Sequence, residues 1–265
     1  MNYDLEFPSH SYRDELSSIS EIYHENTKQW PSLLAGSVAD LSPILLERMR
    51  RPFKVYVTAE KTTLSRNFAI VPHSIEDVIQ RRRSRRDFTG DPITLDELSR
   101  LLFFTAGITS HSNETVPMFF RAAPSGGGLY PLEIYPIALN VASLEGGVYH
   151  YNVREHALEL LQRGDYRNQL YEYTHRQDLI LTAAVAFVIS AVFIRTRIKY
   201  GERGYRHILL EAGHMAQNTY LVATAMNLGA VTIGGFFDDE VNQLVGIDGV
   251  DEATVYIVVV GKVKT

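Results

Sequence analysis

Ionisable side chains are crowded into residues 199–214, within a segment, 194–229, whose pattern predicts one long helix. They include Lys199, Tyr200, Arg203, Tyr205, Arg206, His207, Glu211 and His214. Five of them recur at intervals of three or four and would share one helix face. These five are Tyr200, Arg203, His207, Glu211 and His214. Such a face can be solvated, hold a metal or transfer protons.

Metal and hydrolase chemistry are the first alternatives for this face. Glu211 and His214 form an E-x-x-H pair, the repeating unit of di-iron carboxylate bundles. Those sites also need a four-helix arrangement, which the chain's pattern does not indicate. The sequence contains no G-x-S-x-G nucleophile elbow either. We therefore predict no metal site and no serine hydrolase.

Two further stretches have side chains or backbone suited to an anionic ligand. "RRRSRRDF" (81–88) places five arginines around one serine. Guanidinium forks and a hydroxyl suit a phosphate group, although a solvated turn is the alternative. "PSGGGLYP" (124–131) and "TIGGF" (232–236) contain glycines that let a ligand approach the backbone. Neither is a P-loop or a dinucleotide fingerprint, and an ordinary turn remains open for both.

Composition limits the function classes. The 265 residues are 45% hydrophobic and 22% charged, with a net charge of −5, so we expect a globular protein with no general attraction to nucleic acid or anionic membranes. The absence of cysteine excludes disulfides, thiolate metal sites and a cysteine nucleophile. The longest apolar run, 179–194, is too short to span a bilayer, and the N-terminus has no signal-peptide pattern. We expect a soluble, cytoplasmic protein.

The elements that must position these residues follow from hydrophobic periodicity. Helices are predicted after Ser74, after Thr94 with Glu97 completing a capping box, and over 40–49. Strands are predicted at 53–58, 132–139, 183–193 and 253–263, with a hairpin formed by 147–152 and 157–161. Together they predict an α+β fold in which helices flank a mixed, mainly antiparallel sheet. We expect an N-terminal accessory segment, 1–74, and a main domain, 75–265.

Taken in order, these stretches resemble the nitroreductase-like FMN flavoprotein superfamily. The arginine segment is similar to its flavin-phosphate signature. "YHENTK" (23–28), "PSGGGLYPLEIY" (124–135) and "KYGERGYRHILLEAGHMAQNTYLVA" (199–223) resemble its SagB-type branch. Members of that branch, such as the microcin and cyanobactin dehydrogenases, oxidise thiazolines and oxazolines in peptides to thiazoles and oxazoles. The resemblance implies a homodimer that binds FMN at the subunit interface.

The resemblance also assigns roles to residues. It implies that the phosphate and ribityl chain of FMN are bound by Arg82, Ser84, Arg86 and Lys262. The isoalloxazine ring would lie against Pro124, Ser125 and Gly126. Flavin N5 and O4 would lie beside Gly234 and Gly235. Lys199 and Tyr200 match the branch's catalytic pair. Supporting roles fall to Arg203, His207 and Glu211, and a structural role to His214.

The chemistry explains why a lysine and a tyrosine would be wanted together. Oxidation of an azoline removes a proton from one ring carbon and a hydride from its neighbour, and the hydride goes to flavin N5. A general base and a hydrogen-bond donor are both needed. A lysine acts as a base near neutral pH only if its pKa falls well below about 10.4. Which of Lys199 and Tyr200 is the base stays open.

Three other readings compete with this one. The first is an NAD(P)H-dependent nitroreductase or quinone reductase, and the second is a non-catalytic flavin-binding scaffold within a peptide-modifying complex. The third is an oxidase acting on carrier-protein-bound thiazolines. We expect an azoline-containing peptide as substrate, oxygen as electron acceptor and a cyclodehydratase as partner, and we expect no nucleic acid or membrane partner.

Overall fold

The computed structural model describes residues 18–29, 52–69, 71–113 and 117–264. The chain divides into two compact units, Met1–Asp40 and Leu41–Thr265. In the first unit, helix α1 (Ile19–Asn26) begins with a capping box between Ser18 and Glu21. The "YHENTK" motif covers the end of this helix and the residues that follow it. The helix predicted at 40–49 lies outside the described residues.

The second unit contains the sheet and its flanking helices. Its helices are α2 (Ile75–Arg81), α3 (Leu95–Ala106), α4 (Arg167–Tyr173), α5 (Leu179–Thr182), α6 (Ile194–Tyr200), α7 (Gly204–Ala225) and α8 (Asp238–Val245). Its strands are β1 (Glu60–Thr63), β2 (Ile93–Thr94), β3 (Ile108–His111), β4 (Phe119–Arg121), β5 (Leu132–Ala138), β6 (Val141–Ala142), β7 (Gly147–Asn152), β8 (Ala157–Arg163), β9 (Val185–Val192), β10 (Leu228–Ile233) and β11 (Glu252–Lys262).

The main sheet has seven strands in the order β1-β8-β7-β5-β9-β11-β10. Every pair of neighbours in it runs antiparallel. The parallel contacts are the short β2–β6 pair and a bridge from Ser84 to Ala230 on edge strand β10. The predicted α+β fold with a mainly antiparallel sheet is confirmed.

Apolar side chains on both faces of the sheet form the core. On one face, Ile134 and Phe187 pack with α3 and α7. On the other face, Ile137 and Val188 pack with α4, α5 and α8. Because successive residues of a strand point to opposite faces, a strand covered on both sides must be apolar throughout. This is why the continuous apolar run at 183–193 correctly predicted the central strand β9.

Local sequence signals fixed several other elements. Helix α2 begins at Ser74, whose hydroxyl accepts a hydrogen bond from Asp77 N. Helix α3 begins at the predicted capping box of Thr94 and Glu97. The predicted hairpin is the antiparallel pair β7–β8.

Two predicted elements are wrong. Residues 53–58 form no strand: Tyr56 N donates to the buried carboxylate of Glu159 instead of to a neighbouring strand. The segment 194–229 is not one helix, because Gly201 adopts φ 54° and ψ −142° between α6 and α7. Only glycine enters that backbone region readily, so the helix stops there. A 3₁₀ turn, Gly201–Arg203, joins the two helices.

Strand β1 lies within the range predicted as the accessory segment, and it pairs with β8 at the edge of the sheet. The division at residues 74 and 75 stays a prediction. No helix in the described ranges is both long and apolar enough to cross a membrane.

Candidate functional site

The arginine segment runs along edge strand β10. Beyond α2, Ser84 bridges Ala230 and Arg85 N donates to the Ala230 carbonyl at 3.0 Å. The Arg82 guanidinium lies 5.3 Å from the centre of the Tyr220 ring, and Ser84 Oγ is 3.2 Å from Tyr220 Oη. Arg86 is exposed and its guanidinium donates to the Ser84 carbonyl at 3.4 Å. Two of the four residues predicted to contact the phosphate and ribityl chain, Arg82 and Ser84, therefore meet at one tyrosine.

The other arginines of this segment lie elsewhere. Arg81, Arg83 and Arg85 line a separate cleft of about 310 Å³ together with Lys264. Arg81 pairs with Asp77 at 2.7 Å and Arg85 with Asp87 at 2.8 Å. Nearby carboxylates therefore offset part of the positive charge of this segment.

Lys262 lies at the end of β11, as predicted, but its ammonium forms an ion pair with Glu97. A phosphate would have to share this lysine with a carboxylate.

Gly234 and Gly235 follow directly after β10. A Cβ at Gly234 would lie 3.8 Å from Tyr256, and one at Gly235 would lie 3.5 Å from His175. Both are ordinary contact distances, so packing within the chain does not require glycine at either position.

The glycine loop is where the structure brings two predicted groups together. Residues Gly126–Gly128 form a 3₁₀ turn in which Gly127 has φ 69°. A Cβ on Gly127 would lie 2.8 Å from Lys199 Nζ and 2.9 Å from Tyr200 Oη. The end of α6 therefore presents both predicted catalytic groups to the backbone of Gly127, at a place where an added Cβ would displace them.

Ser125 ties this loop to α7. Its hydroxyl donates to Glu211 Oε2 at 2.6 Å and accepts from Tyr130 N at 2.9 Å. Burial raises the pKa of Glu211 to about 7, while the Ser125 hydrogen bond and the charges of Arg121 and Arg195 act in the opposite direction. Glu211 is thus a buried carboxyl that titrates near neutral pH.

A cleft of about 280 Å³ opens between the loop and α7. It is lined by Pro124, Ser125, Gly126, His207, Leu210, Glu211 and His214. The His207 ring lies 4.6 Å from the Tyr200 ring, so these two residues remain neighbours across the helix break. Arg203 lies in the turn before α7 and does not line this cleft.

Apart from Arg203 and Lys262, the predicted residues lie either at the glycine loop or along edge strand β10. We call Pro124, Ser125, Gly126, Lys199, Tyr200, His207 and Glu211 the loop cluster, and Arg82, Ser84, Arg86, Gly234 and Gly235 the edge cluster. Three strand spacings separate β5, which follows the loop, from β10, or about 14 Å at about 4.8 Å each. Helix α7 reaches both, with Glu211 in the loop cluster and Tyr220 beside the edge cluster, nine residues or about 14 Å apart.

Sequence reasoning missed Gly127, Tyr220 and Arg195. The sequence shows three consecutive glycines, but it does not indicate that Gly127 is the one approached by Lys199 and Tyr200. Tyr220 fitted an apolar stripe, and nothing in the sequence separates Arg195 from the nearby Arg197. Among the described residues, no group of three His, Asp or Glu side chains is placed to hold a metal ion.

Comparisons with known proteins agree with the predicted family. The model of the nitroreductase family matches residues 79–262. MJ1384 of Methanocaldococcus jannaschii, which is named as a nitroreductase, is 38% identical over 173 residues, 65% of this chain and 84% of its own length. The microcin B17-processing protein McbC of Escherichia coli is 34% identical over 134 residues, 48% of this chain and 49% of its own length. The match therefore spans about half of McbC.

Solved structures show the same fold. A structure from Anabaena variabilis, named as a nitroreductase, has a TM-score of 0.74 and 29% identity, covering 92% of this chain and 46% of its own. The E. coli microcin synthetase McbBCD complex with truncated pro-MccB17 has a TM-score of 0.59 and 22% identity, covering 93% and 92%. At that identity the second likeness concerns the fold alone. The family model covers well over half of the chain and one relative matches at 38% identity, so this chain belongs to the nitroreductase family.

Proposed function

We propose that this protein is an FMN-dependent dehydrogenase that oxidises thiazoline or oxazoline rings in peptides to thiazoles or oxazoles. The observation that carries the proposal is the convergence of Lys199 Nζ and Tyr200 Oη on Gly127. Similarity to McbC, whose name assigns it to microcin B17 processing, supports a peptide substrate.

The edge cluster fits FMN. Arg82 and Ser84 offer a guanidinium and a hydroxyl side by side, which suits a phosphate carrying about −1.5 to −2 charges. Gly234 and Gly235 have no Cβ, so a flat ring can approach their backbone more closely than that of other residues. Lys262 contributes less, because Glu97 already neutralises it. FMN held there would supply the hydride acceptor, with oxygen as the proposed electron acceptor.

The proposed flavin site is shared by the two subunits of a homodimer. Within one chain, β5 beside the loop cluster and β10 beside the edge cluster are three strand spacings apart, or about 14 Å. A second copy, related by a two-fold axis, can place its loop cluster opposite the edge cluster of the first. We propose that FMN binds at this interface.

The chain's own groups then divide the proton chemistry. Lys199 and Tyr200 reach the same point, so they can act on one small ring together. One takes the proton from the ring carbon, and the other donates a hydrogen bond to the ring nitrogen or the adjacent carbonyl. Ser125 and Glu211 hold the loop in place between α7 and Tyr130.

The substrate requires a partner, because an azoline must first be formed by cyclodehydration of a peptide. The likeness to a chain of the McbBCD complex is in keeping with such a partner. A carrier-bound thiazoline made by a separate assembly line is the alternative source.

Turnover of a synthetic peptide with a single thiazoline ring tests this function. Lys199→Ala and Tyr200→Phe are expected to abolish formation of the thiazole while the protein keeps its FMN. Arg163→Ala, which alters an exposed arginine paired with the exposed Glu60 and Glu145, serves as the control. Normal turnover by Lys199→Ala would exclude the proposed role of the helix end.

The similarity to MJ1384 favours a second candidate, an NAD(P)H-dependent reductase. That enzyme would reduce its flavin rapidly with NAD(P)H and would not need the thiazoline. A protein that binds FMN and reacts with neither compound would instead be a scaffold subunit.

A further inference from the structure

Helix α6 carries Lys199 and Tyr200 at its end, so its orientation decides where they point. It has only seven residues and no side-chain hydrogen bond at its N-cap. The helix ends at Gly201, whose backbone is not helical. A helix this short is not stable by itself, so contacts with the rest of the fold must hold it.

Arg195 makes the contacts that join α6 to the glycine loop and to β5. One guanidinium nitrogen, Nη1, donates to the Tyr130 carbonyl at 3.1 Å and to Glu133 Oε1 at 2.5 Å. Arg195 and Lys199 are four residues apart and share a face of α6. Tyr130 closes the glycine loop, since its backbone N–H is bound by Ser125. A single side chain therefore joins α6, the loop that contains Gly127, and strand β5.

The far end of this contact is a rigid row of buried charges. Glu133 Oε2 accepts from His150 Nε2 at 3.1 Å, and His150 Nδ1 donates to Glu159 Oε2 at 2.9 Å. These three residues lie on the neighbouring strands β5, β7 and β8 and are at most 2% exposed. Burial opposes ionisation of Glu133, but Arg195 and His150 outweigh it and lower its pKa to about 2. Burial likewise opposes charging of His150, yet its two carboxylate partners raise its pKa. Arg195 thus binds a fixed carboxylate rather than a mobile surface group.

We propose that Arg195 is a positioning residue that holds Lys199 and Tyr200 against Gly127. The importance of this role for the reaction rests on the proposed function, whereas the anchoring itself does not. Arg197 on the same helix offers a matched control, because it pairs with the exposed Glu202 and is itself 49% exposed.

Amide hydrogen exchange tests the anchoring without any substrate. In the purified full chain, Arg195→Gln is expected to speed exchange in residues 194–200 and 124–130. Arg197→Gln is expected to leave both segments as in the wild type. Unchanged exchange in Arg195→Gln would overturn the proposal.

Steady-state kinetics with the synthetic thiazoline peptide tests the consequence. Displacement of reacting groups by about 1 Å lowers turnover by about 100-fold, so Arg195→Gln should lose about that factor in kcat with KM and FMN content unchanged. Arg195→Lys keeps the charge beside Glu133, but its ammonium ends one bond short of the Nη1 position that contacts both acceptors, so its kcat should fall in between. A wild-type kcat in Arg195→Gln would show that the anchor does not serve the reaction.

A second variant distinguishes loss of positioning from loss of folding. Arg195→Gln leaves Glu133 buried without its guanidinium, whereas the double variant Arg195→Gln/Glu133→Gln removes both charges. It should fold, bind FMN and still show the loss in kcat, and full activity in it would refute the proposal. Normal turnover by Lys199→Ala would defeat the proposed function alone, since the exchange experiment would still decide whether Arg195 anchors α6.

Discussion

At the scale of single residues, Gly127 shows why the loop beside the proposed catalytic pair contains glycine. Its φ of 69° disfavours any side chain, and a Cβ would come within 3 Å of both Lys199 Nζ and Tyr200 Oη. The neighbouring Gly128 has a similar φ of 65°, but a Cβ there would meet only Met118 Cε at 3.8 Å. Alanine substitutions at Gly127 and Gly128 should therefore share the same backbone strain, and only the one at Gly127 should displace the proposed catalytic groups.

Gly127→Ala is expected to cost more activity than stability. Both Gly127→Ala and Gly128→Ala should lose about 1 to 2 kcal/mol of unfolding free energy from the left-handed backbone. Only Gly127→Ala pushes aside flexible side-chain ends, and it should lower kcat by about 100-fold. Urea denaturation and thiazoline turnover of the two variants check this. Equal turnover in both would mean that the approach to Gly127 has no role in the reaction.

Glu211 should make the stability of the protein depend on pH. Its pKa is about 7 in the folded chain and 4.5 ordinarily, so folding favours the protonated form. That stability is present below pH 4.5, is lost as the pH rises toward 7, and then stays constant. The loss amounts to about 3 kcal/mol. Urea denaturation of the wild type and of Glu211→Gln should diverge over this window, and parallel profiles would contradict the assignment.

Sequence motifs singled out residues that the structure brings close together, but they missed residues that are defined by long-range contacts. Lys199, Tyr200 and Ser125 belong to stretches with distinctive composition. Arg195 acquires its role from Glu133, 62 positions earlier in the chain. No local pattern contains that information.

At the scale of elements, the break between α6 and α7 orients the proposed catalytic pair. The predicted single helix contained Gly201 and Gly204, but the sequence does not indicate which of these two glycines adopts a non-helical backbone conformation. Elements with local signals, such as α3 with its capping box, were predicted correctly. Residues 53–58 were not, because their alternation reflects Lys54 and Tyr56 contacting the buried Tyr135 hydroxyl, not strand pairing.

Two glycine substitutions test the role of the break. Gly201→Ala has space for its Cβ but requires a backbone conformation that costs on the order of 1–3 kcal/mol. Gly213→Ala lies in the middle of α7 with open space around it, and it should stabilise the protein by about 0.5–1 kcal/mol. Urea denaturation of both variants measures these opposite signs. A neutral Gly201→Ala would show that the break is not enforced at this residue.

At the scale of the whole molecule, the proposed homodimer makes each site a combination of two subunits. The prediction concerns mixed dimers of Arg82→Ala, which damages the edge cluster, and Lys199→Ala, which damages the loop cluster. If each site combines one subunit's edge cluster with the partner's loop cluster, half the sites of a mixed dimer are intact. Co-refolding the two inactive variants should then restore up to about a quarter of wild-type activity. No recovery would place the complete site within one chain.

The most direct test of the central claim is a single turnover without oxygen. FMN-loaded protein is mixed with the synthetic thiazoline peptide, and the visible absorbance of the flavin is followed. The mass of the peptide is measured by mass spectrometry. We expect the flavin to bleach as the peptide loses two hydrogens, and we expect Lys199→Ala to stay oxidised. An oxidised wild-type flavin that bleaches only with NAD(P)H would contradict the azoline dehydrogenase and identify a reductase.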